Sequence, residues 1–220
     1  MKNDKTKKNQ QPETEKEENQ KEDQKLNFGL WLEVLTKPVE TIIKERQNEN
    51  WRNALLNYSI SGVVSGLIIG IALLIIIYFY PAALGSEASI IPSNPVSLIP
   101  STIILIPIIW AAMLLASSLI NTLVFWIFSK IFKGKGTYLK QYYLTSIYTA
   151  PVNILAAVFM LVPIAIVSIV LIIILALYSI YGLFITLKAT HEYSNTEAVL
   201  SIITPVIIIF AVIFIIANML

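Results

Sequence analysis

A 47-residue stretch without any Asp, Glu, Lys, Arg or His runs from Gln141 to Leu187. Wound as one α-helix that rises 1.5 Å per residue, it would be about 70 Å long, whereas the hydrocarbon core of a bilayer is about 30 Å thick. Two helices of about 20 residues each fit that thickness. Pro163 marks a turn between them, because proline interrupts a helix but is tolerated in the first turn of the next one. The stretch therefore predicts a membrane hairpin, with spans near Tyr142–Val162 and Ile164–Leu187.

Charged residues are few, and they are segregated along the chain. Asp, Glu, Lys and Arg make up 14% of the 220 residues, against about 25% in a soluble domain. By count, 22 of these 30 residues precede Asn53, and only eight fall in the other 168 positions. The chain from Asn53 onward is therefore predicted to lie in lipid, and the net charge of +2 belongs to a tail and loops, not to a nucleic-acid-binding surface. The absence of cysteine excludes disulfides, thiol nucleophiles and zinc–thiolate sites.

Hydropathy predicts an all-α polytopic membrane protein, a bundle of five transmembrane helices in residues 53–220. The three further spans are expected near Asn53–Tyr80, Ser101–Phe128 and Ala198–Leu220. Residues 1–27 form a charged tail that we expect to be disordered. Residues 28–52 predict amphipathic helices at the membrane interface, with Trp31 as an aromatic anchor. Their apolar face either rests on lipid or packs against the ends of the spans, and the pattern leaves both open.

Basic residues near the span ends predict the orientation of the chain. Nine of them lie before the first span, between the second and third, or between the fourth and fifth: Lys37, Lys44, Arg46, Arg52, Lys130, Lys133, Lys135, Lys140 and Lys188. The other two connections and the C-terminus have none. Because cytoplasmic loops carry an excess of Lys and Arg, the N-terminus is expected in the cytoplasm and the C-terminus outside.

Two sets of residues within the spans predict how the helices pack. Gly62, Gly66 and Gly70 lie four residues apart on one face of the first span, where a second helix can approach closely. That helix belongs either to the same chain or to a second copy. Polar residues expected in the bundle interior are Asn121, Thr145, Ser146, Tyr148 and Asn153. They predict hydrogen bonds between helices, with a permeation path or a lipid pocket as the alternative.

Residues for catalysis or for binding a cofactor are not recognisable. The interiors of the five predicted spans carry no ionisable side chain, so a proton relay is not expected. Lys130, Lys133, Lys135 and Lys140 surround two glycines but lack the spacing of a phosphate-binding loop, and they indicate a basic cytoplasmic loop. A single histidine, His191, lies beside Glu192 and is a weak indication of a metal site. We expect neither enzymatic activity nor a cofactor or metal.

The order of these features resembles the Yip1-domain membrane proteins, in the form found in bacteria and archaea. Three segments carry the resemblance: Trp31 with Thr36-Lys37-Pro38; Gly134-Lys135-Gly136-Thr137-Tyr138 running into Leu144–Pro151; and Leu183–His191, followed by Ser194 and Ala198. The resemblance covers about Phe28–Leu220 and implies a five-span fold in a prokaryotic cell membrane. It also implies a non-enzymatic protein that organises membrane lipids or partner proteins, in a role like that of membrane-trafficking proteins.

Two functions are therefore open as hypotheses. The first is the organising role just described, with the lipid bilayer as partner and a homo-oligomer or other membrane proteins as further partners. The second is a small permease or channel subunit, suggested by prolines within the spans and by the polar start of the third span.

Overall fold

Seven α-helices make up the fold that the computed structural model describes, over residues 28–79, 95–162 and 164–219. They are α1 (Phe28–Thr36), α2 (Pro38–Glu45), α3 (Trp51–Phe79), α4 (Leu98–Ile131), α5 (Tyr138–Met160), α6 (Ala165–His191) and α7 (Asn195–Met219). The predicted charged tail, most of the loop between the first two spans and Pro163 at the predicted turn lie outside the described residues.

Five of these helices, α3 to α7, are long and apolar enough to cross a membrane, which confirms the all-α, five-span prediction. Several extend beyond the predicted bounds. Helix α4 has 34 residues and is therefore about 51 Å long, since it continues past its apolar segment to Ile131. Pro107, Pro151 and Pro205 all lie inside helices. Neighbouring helices and hydroxyl side chains can satisfy the backbone groups that such prolines free.

Helix α5 is the centre of the bundle. Half of its most apolar segment is buried within the protein, compared with 11% to 28% in the other four spans. It packs against α3, α4 and α6 and also against α1. Its small and polar residues allow this close packing on several sides, as the sequence of the third span predicts.

Helices α1 and α2 place one face against the bundle and leave the other exposed. Val34 and Ile42 are fully buried, and the Tyr178 hydroxyl of α6 donates to the carbonyl oxygens of Val34 (3.1 Å) and Leu35 (2.8 Å). Four other large apolar side chains of the two helices are exposed: Phe28, Leu32, Val39 and Ile43. Packing against the ends of the spans, one of the two predicted placements of this segment, therefore applies to the buried face, and contact of the exposed residues with lipid stays a prediction.

Trp31 is not the interfacial anchor that the sequence predicted. Its side chain is 6% exposed and faces the bundle, where the indole N–H donates to Asn57 Oδ1 at 3.2 Å. A buried indole N–H needs an acceptor, and Asn57 on α3 supplies one.

Candidate functional site

The glycine face of α3 is covered by α4. A Cβ atom added to Gly62 would lie 2.5 Å from Ala111 Cα, and one added to Gly66 would lie 2.6 Å from Pro107 Cα. At Gly70 the nearest atom would be the carbonyl oxygen of Thr102, at 3.1 Å. The missing side chains thus let two antiparallel helices of the same chain approach closely. Because all three glycines are buried in this contact, their face is not available to a second copy.

Polar contacts join α3 to the central helix. Asn57 Nδ2 donates to Ser146 Oγ at 3.0 Å, and Ser61 Oγ donates to the carbonyl oxygen of Ala150 at 2.7 Å. Ser146 and Ala150 lie four residues apart and so share one face of α5. Of the predicted interior residues, Ser146 therefore serves helix packing.

A second polar face of α5 lines a cavity of about 420 Å³, which α4 and α6 enclose with a contribution from α3. Gln141, Thr145, Thr149 and Asn153 recur every four residues along this face, and the polar row is therefore about 18 Å long. No ionisable Asp, Glu, Lys, Arg or His side chain lines the cavity among the described residues. We refer to this space as the polar cavity.

Several polar groups of the polar cavity are bonded within the protein. Ser179 Oγ donates to the carbonyl oxygen of Leu175 at 2.8 Å, and the Tyr148 hydroxyl donates to the carbonyl oxygen of Tyr178. Three other buried atoms find no hydrogen-bond partner in the described part of the chain: Thr145 Oγ1, Asn153 Nδ2 and Thr186 Oγ1. A buried polar group without a partner costs about 1–3 kcal/mol. All three side chains line the cavity, so a ligand there can supply the missing partner once the side chain turns toward it.

Asn121 lines the polar cavity but is exposed, whereas the sequence predicted a buried interior position. Because Asn121 both lines the cavity and is exposed, the cavity reaches the surface of the protein at this residue. Ile120 and Leu123 on the same helix are 62% and 45% exposed, as expected of a helix that crosses a membrane. A polar residue in an apolar span does not itself reveal whether it faces the bundle or the mouth of a cavity.

His191 connects two loops at one end of the bundle. Its side chain is 1% exposed; Nδ1 accepts a hydrogen bond from the Gly136 N–H at 3.1 Å, and Nε2 lies 2.8 Å from Gln141 Oε1. Because Nδ1 is an acceptor, Nε2 carries the proton and donates to Gln141. The imidazole is thus neutral and holds the α4–α5 loop against the end of α6. Gln141 also lines the polar cavity, so this network is joined to the wall of the cavity through Gln141.

Glu192 extends the same network to α2. It has a left-handed backbone conformation (φ 60°) that ends α6, and its carboxylate lies 3.2 Å from Lys135 Nζ and pairs with Arg46. The hydrogen bond and charge of Lys135, together with the charge of Arg46, lower the pKa of Glu192. The end of α2, the α4–α5 loop and the α6–α7 connection therefore meet at one end of the bundle, which we call the basic end.

The four lysines of the predicted basic loop differ in their surroundings. Lys130 Nζ donates to the carbonyl oxygen of Gly134 at 2.9 Å, and Lys135 pairs with Glu192. Lys133 is exposed and Lys140 is half-buried. The loop is thus partly folded onto the protein.

The structural role of His191 is the feature that sequence reasoning missed. The sequence offered a weak metal site, but in the described residues no group of three His, Cys, Asp or Glu side chains could hold a metal ion. A neutral histidine that fixes two loops has no local sequence signature, because its partner Gly136 lies 55 residues away. The only available signal was that both residues belong to the segments that carry the family resemblance.

A comparison with protein-family models matches residues 32–216 to the Yip1 domain. The chain belongs to the Yip1-domain family. The matched region begins in α1 and ends in α7, so the Yip1 domain includes the α1–α2 segment, the polar cavity and the basic end. No curated protein and no solved structure matches the chain.

Proposed function

We propose that this Yip1-domain protein is a non-enzymatic membrane protein that organises lipids around its basic end, which faces the cytoplasm of a prokaryotic cell. The observation that carries the proposal is the two-faced α1–α2 segment. One face is fixed to the bundle by Val34 and Ile42, and the other exposes Leu32 and Ile43. An apolar helix face held in this way can dip into the interfacial layer of the bilayer.

The charge of the basic end supports the same proposal. The described residues carry nine Lys and Arg and six Asp and Glu, a difference of +3, and these residues lie in α1–α2 or in the connections and adjoining helix turns of the basic end. Anionic headgroups are attracted to such a surface by about 1 kcal/mol per basic residue. We therefore expect anionic lipids to accumulate beside α1–α2. In the other form of this proposal, the protein organises partner proteins: the exposed face of α1–α2 then binds a second copy of the chain or another membrane protein.

Quenching of tryptophan fluorescence by brominated lipids tests the proposal. The full chain is placed in phosphatidylcholine vesicles that contain either brominated phosphatidylglycerol or brominated phosphatidylcholine. Stronger quenching by the anionic lipid is expected, and Lys133→Gln with Lys140→Gln should reduce the preference by up to about fivefold for each lysine. Leu32→Gln with Ile43→Gln should reduce quenching by both lipids, because α1–α2 no longer contacts the acyl chains.

Glu40→Gln is the matched control. Glu40 lies on α2 with a side chain 78% exposed, and its neutralisation should preserve or increase the preference for the anionic lipid. Equal quenching by the two brominated lipids in every variant would contradict the proposal.

The polar cavity favours a second candidate function, a small permease for uncharged polar solutes. The row from Gln141 to Asn153 carries no charge, which suits a polyol better than an ion. Proteoliposomes should then admit glycerol faster than empty vesicles, and Asn153→Leu should abolish the difference. Glycerol entry that Asn153→Leu leaves unchanged would remove this residue from any such path.

A further inference from the structure

Three polar atoms in the polar cavity determine what can bind there. Thr145 and Asn153 lie on one face of α5 and are eight residues apart, or about 12 Å along the helix axis. Thr186 lies on α6 and is fully buried. All three line the same cavity, and none of the three atoms has a partner among the described residues. Each atom lies within the cavity wall with almost no accessible surface, so a small rotation of its side chain brings the amide N–H or the hydroxyl group to a ligand that presents oxygen acceptors.

The charge of the cavity restricts the ligand to an uncharged polar group. No Lys, Arg or His side chain lines it in the described structure, so nothing there would compensate a phosphate. Burying an uncompensated charge in an apolar surrounding is far more costly than burying an ester or a hydroxyl group. A phosphate headgroup is therefore excluded from the interior of the cavity, whereas esters and hydroxyls are compatible with it.

The opening of the cavity indicates that the ligand comes from the lipid phase. Asn121 lines the cavity and is exposed, and it lies on a membrane-spanning helix whose other exposed residues are largely apolar, among them Ile120 and Leu123. Leu114 and Leu183 add apolar surface to the walls. The volume of about 420 Å³ lies within the range of about 300–1,000 Å³ of small-molecule sites. These features suit a molecule with a small polar part and long apolar chains.

We propose that the polar cavity binds a diacylglycerol-like lipid, whose hydroxyl and ester groups contact Asn153, Thr145 and Thr186. The acyl chains leave the cavity past Asn121 into the bilayer. This site lies inside the bundle, so the inference is independent of the contact between α1–α2 and anionic lipid proposed above.

Photocrosslinking of lipids to the full chain tests the inference. The protein is reconstituted in phosphatidylcholine vesicles that contain about 1% of a diacylglycerol with a photoreactive group next to the glycerol, and labelled peptides are mapped by mass spectrometry. A photoreactive phosphatidylglycerol forms the second arm. Diacylglycerol should label the α5 segment that includes Thr145 and Asn153, and phosphatidylglycerol should not label this segment.

Two variants and a matched control complete the test. Thr145→Val and Asn153→Leu preserve the approximate shape of the side chains, and each should lower labelling by diacylglycerol about tenfold, which corresponds to about 1.4 kcal/mol. Ser179→Ala also alters a cavity-lining residue, but its hydroxyl already bonds to Leu175, so labelling should not change.

A stability measurement distinguishes loss of ligand from loss of fold. Dioctanoylglycerol should raise the Tm of the wild type in detergent but not that of Thr145→Val. The inference is overturned if α5 is not labelled by diacylglycerol, if both variants label as strongly as the wild type, or if dioctanoylglycerol leaves the wild-type Tm unchanged. The separate preference for phosphatidylglycerol, measured by quenching, is unaffected by any of these results.

Discussion

Removal of the His191 side chain should destabilise the protein more than any exposed substitution near it. In His191→Ala the Gly136 N–H and Gln141 Oε1 lose their partners, at present 3.1 Å and 2.8 Å away. Each buried group left without a partner costs about 1–3 kcal/mol, which gives about 2–6 kcal/mol in total. Since whole domains are stable by only about 5–15 kcal/mol, this loss is large.

His191→Asn should restore part of this stability. The asparagine Oδ1 can take the place of Nδ1 as acceptor for the Gly136 N–H, but its shorter side chain does not reach Gln141. We expect about half the destabilisation of His191→Ala. Thr196→Ala is the control, because Thr196 is exposed in the α6–α7 region, and its change should be below about 0.5 kcal/mol.

Denaturant unfolding in detergent micelles measures these changes, with tryptophan fluorescence as the signal, to which Trp126 contributes together with three other tryptophans. The Trp126 indole donates to the carbonyl oxygen of Gly136 at 3.4 Å and so reports on the same loop. Hydrogen exchange of the Gly136 amide should accelerate in His191→Ala and less so in His191→Asn. Equal stability of His191→Ala and Thr196→Ala, with the Gly136 amide exchanging at the wild-type rate, would refute the structural role of His191.

Further predictions concern the glycine face, the α1 contact and the basic end. Gly62→Ala and Gly66→Ala should each lower stability by about 1–3 kcal/mol, since the added Cβ would meet the backbone of α4 at 2.5 Å and 2.6 Å. Gly70→Ala should lower stability least, because its Cβ would lie 3.1 Å from the nearest atom of α4. Equal effects of the three substitutions in thermal unfolding would contradict this packing. Tyr178→Phe removes both hydrogen bonds to α1, so hydrogen exchange in α1 should accelerate while the spans remain protected; unchanged exchange in α1 would show that the hydroxyl does not hold it. The pKa of Glu192 is lowered in the folded protein from 4.5, so its pairing contributes stability above about pH 4.5 and this contribution is lost as the pH falls through the lower folded value. When the free energy of unfolding is measured against pH, Glu192→Gln should reduce its change below about pH 4.5. A pH profile identical to that of the wild type would show that the ion pair does not stabilise the basic end.

The central position of α5 could be predicted from the sequence because its polar side chains are unfavourable in contact with lipid. A span rich in Thr, Ser and Tyr is unfavourable in contact with lipid, so it is expected in the interior, and half of its apolar segment is indeed buried. The five spans follow from the same argument. Their bounds were less predictable, since α4 continues through Lys130 to Ile131, where hydropathy has already fallen.

The sequence could not show which of two polar faces of α5 packs and which lines a cavity. Ser146 and Thr145 are adjacent and similar in chemistry, yet Ser146 contacts Asn57 and Thr145 faces the polar cavity. The difference depends on where α4 and α6 lie, which is set by contacts distant in sequence. Trp31 was misassigned for the same reason, because its acceptor Asn57 belongs to another helix.

Labelling of single cysteines tests most directly whether a five-span bundle places its basic end in the cytoplasm. The chain has no native cysteine, and Lys133, Thr196 and Met219 are exposed, so each can be replaced by cysteine in turn. In intact cells a membrane-impermeant maleimide should label position 219, and it should label positions 133 and 196 only after lysis. Labelling of position 133 or 196 in intact cells, with position 219 protected until lysis, would contradict this topology.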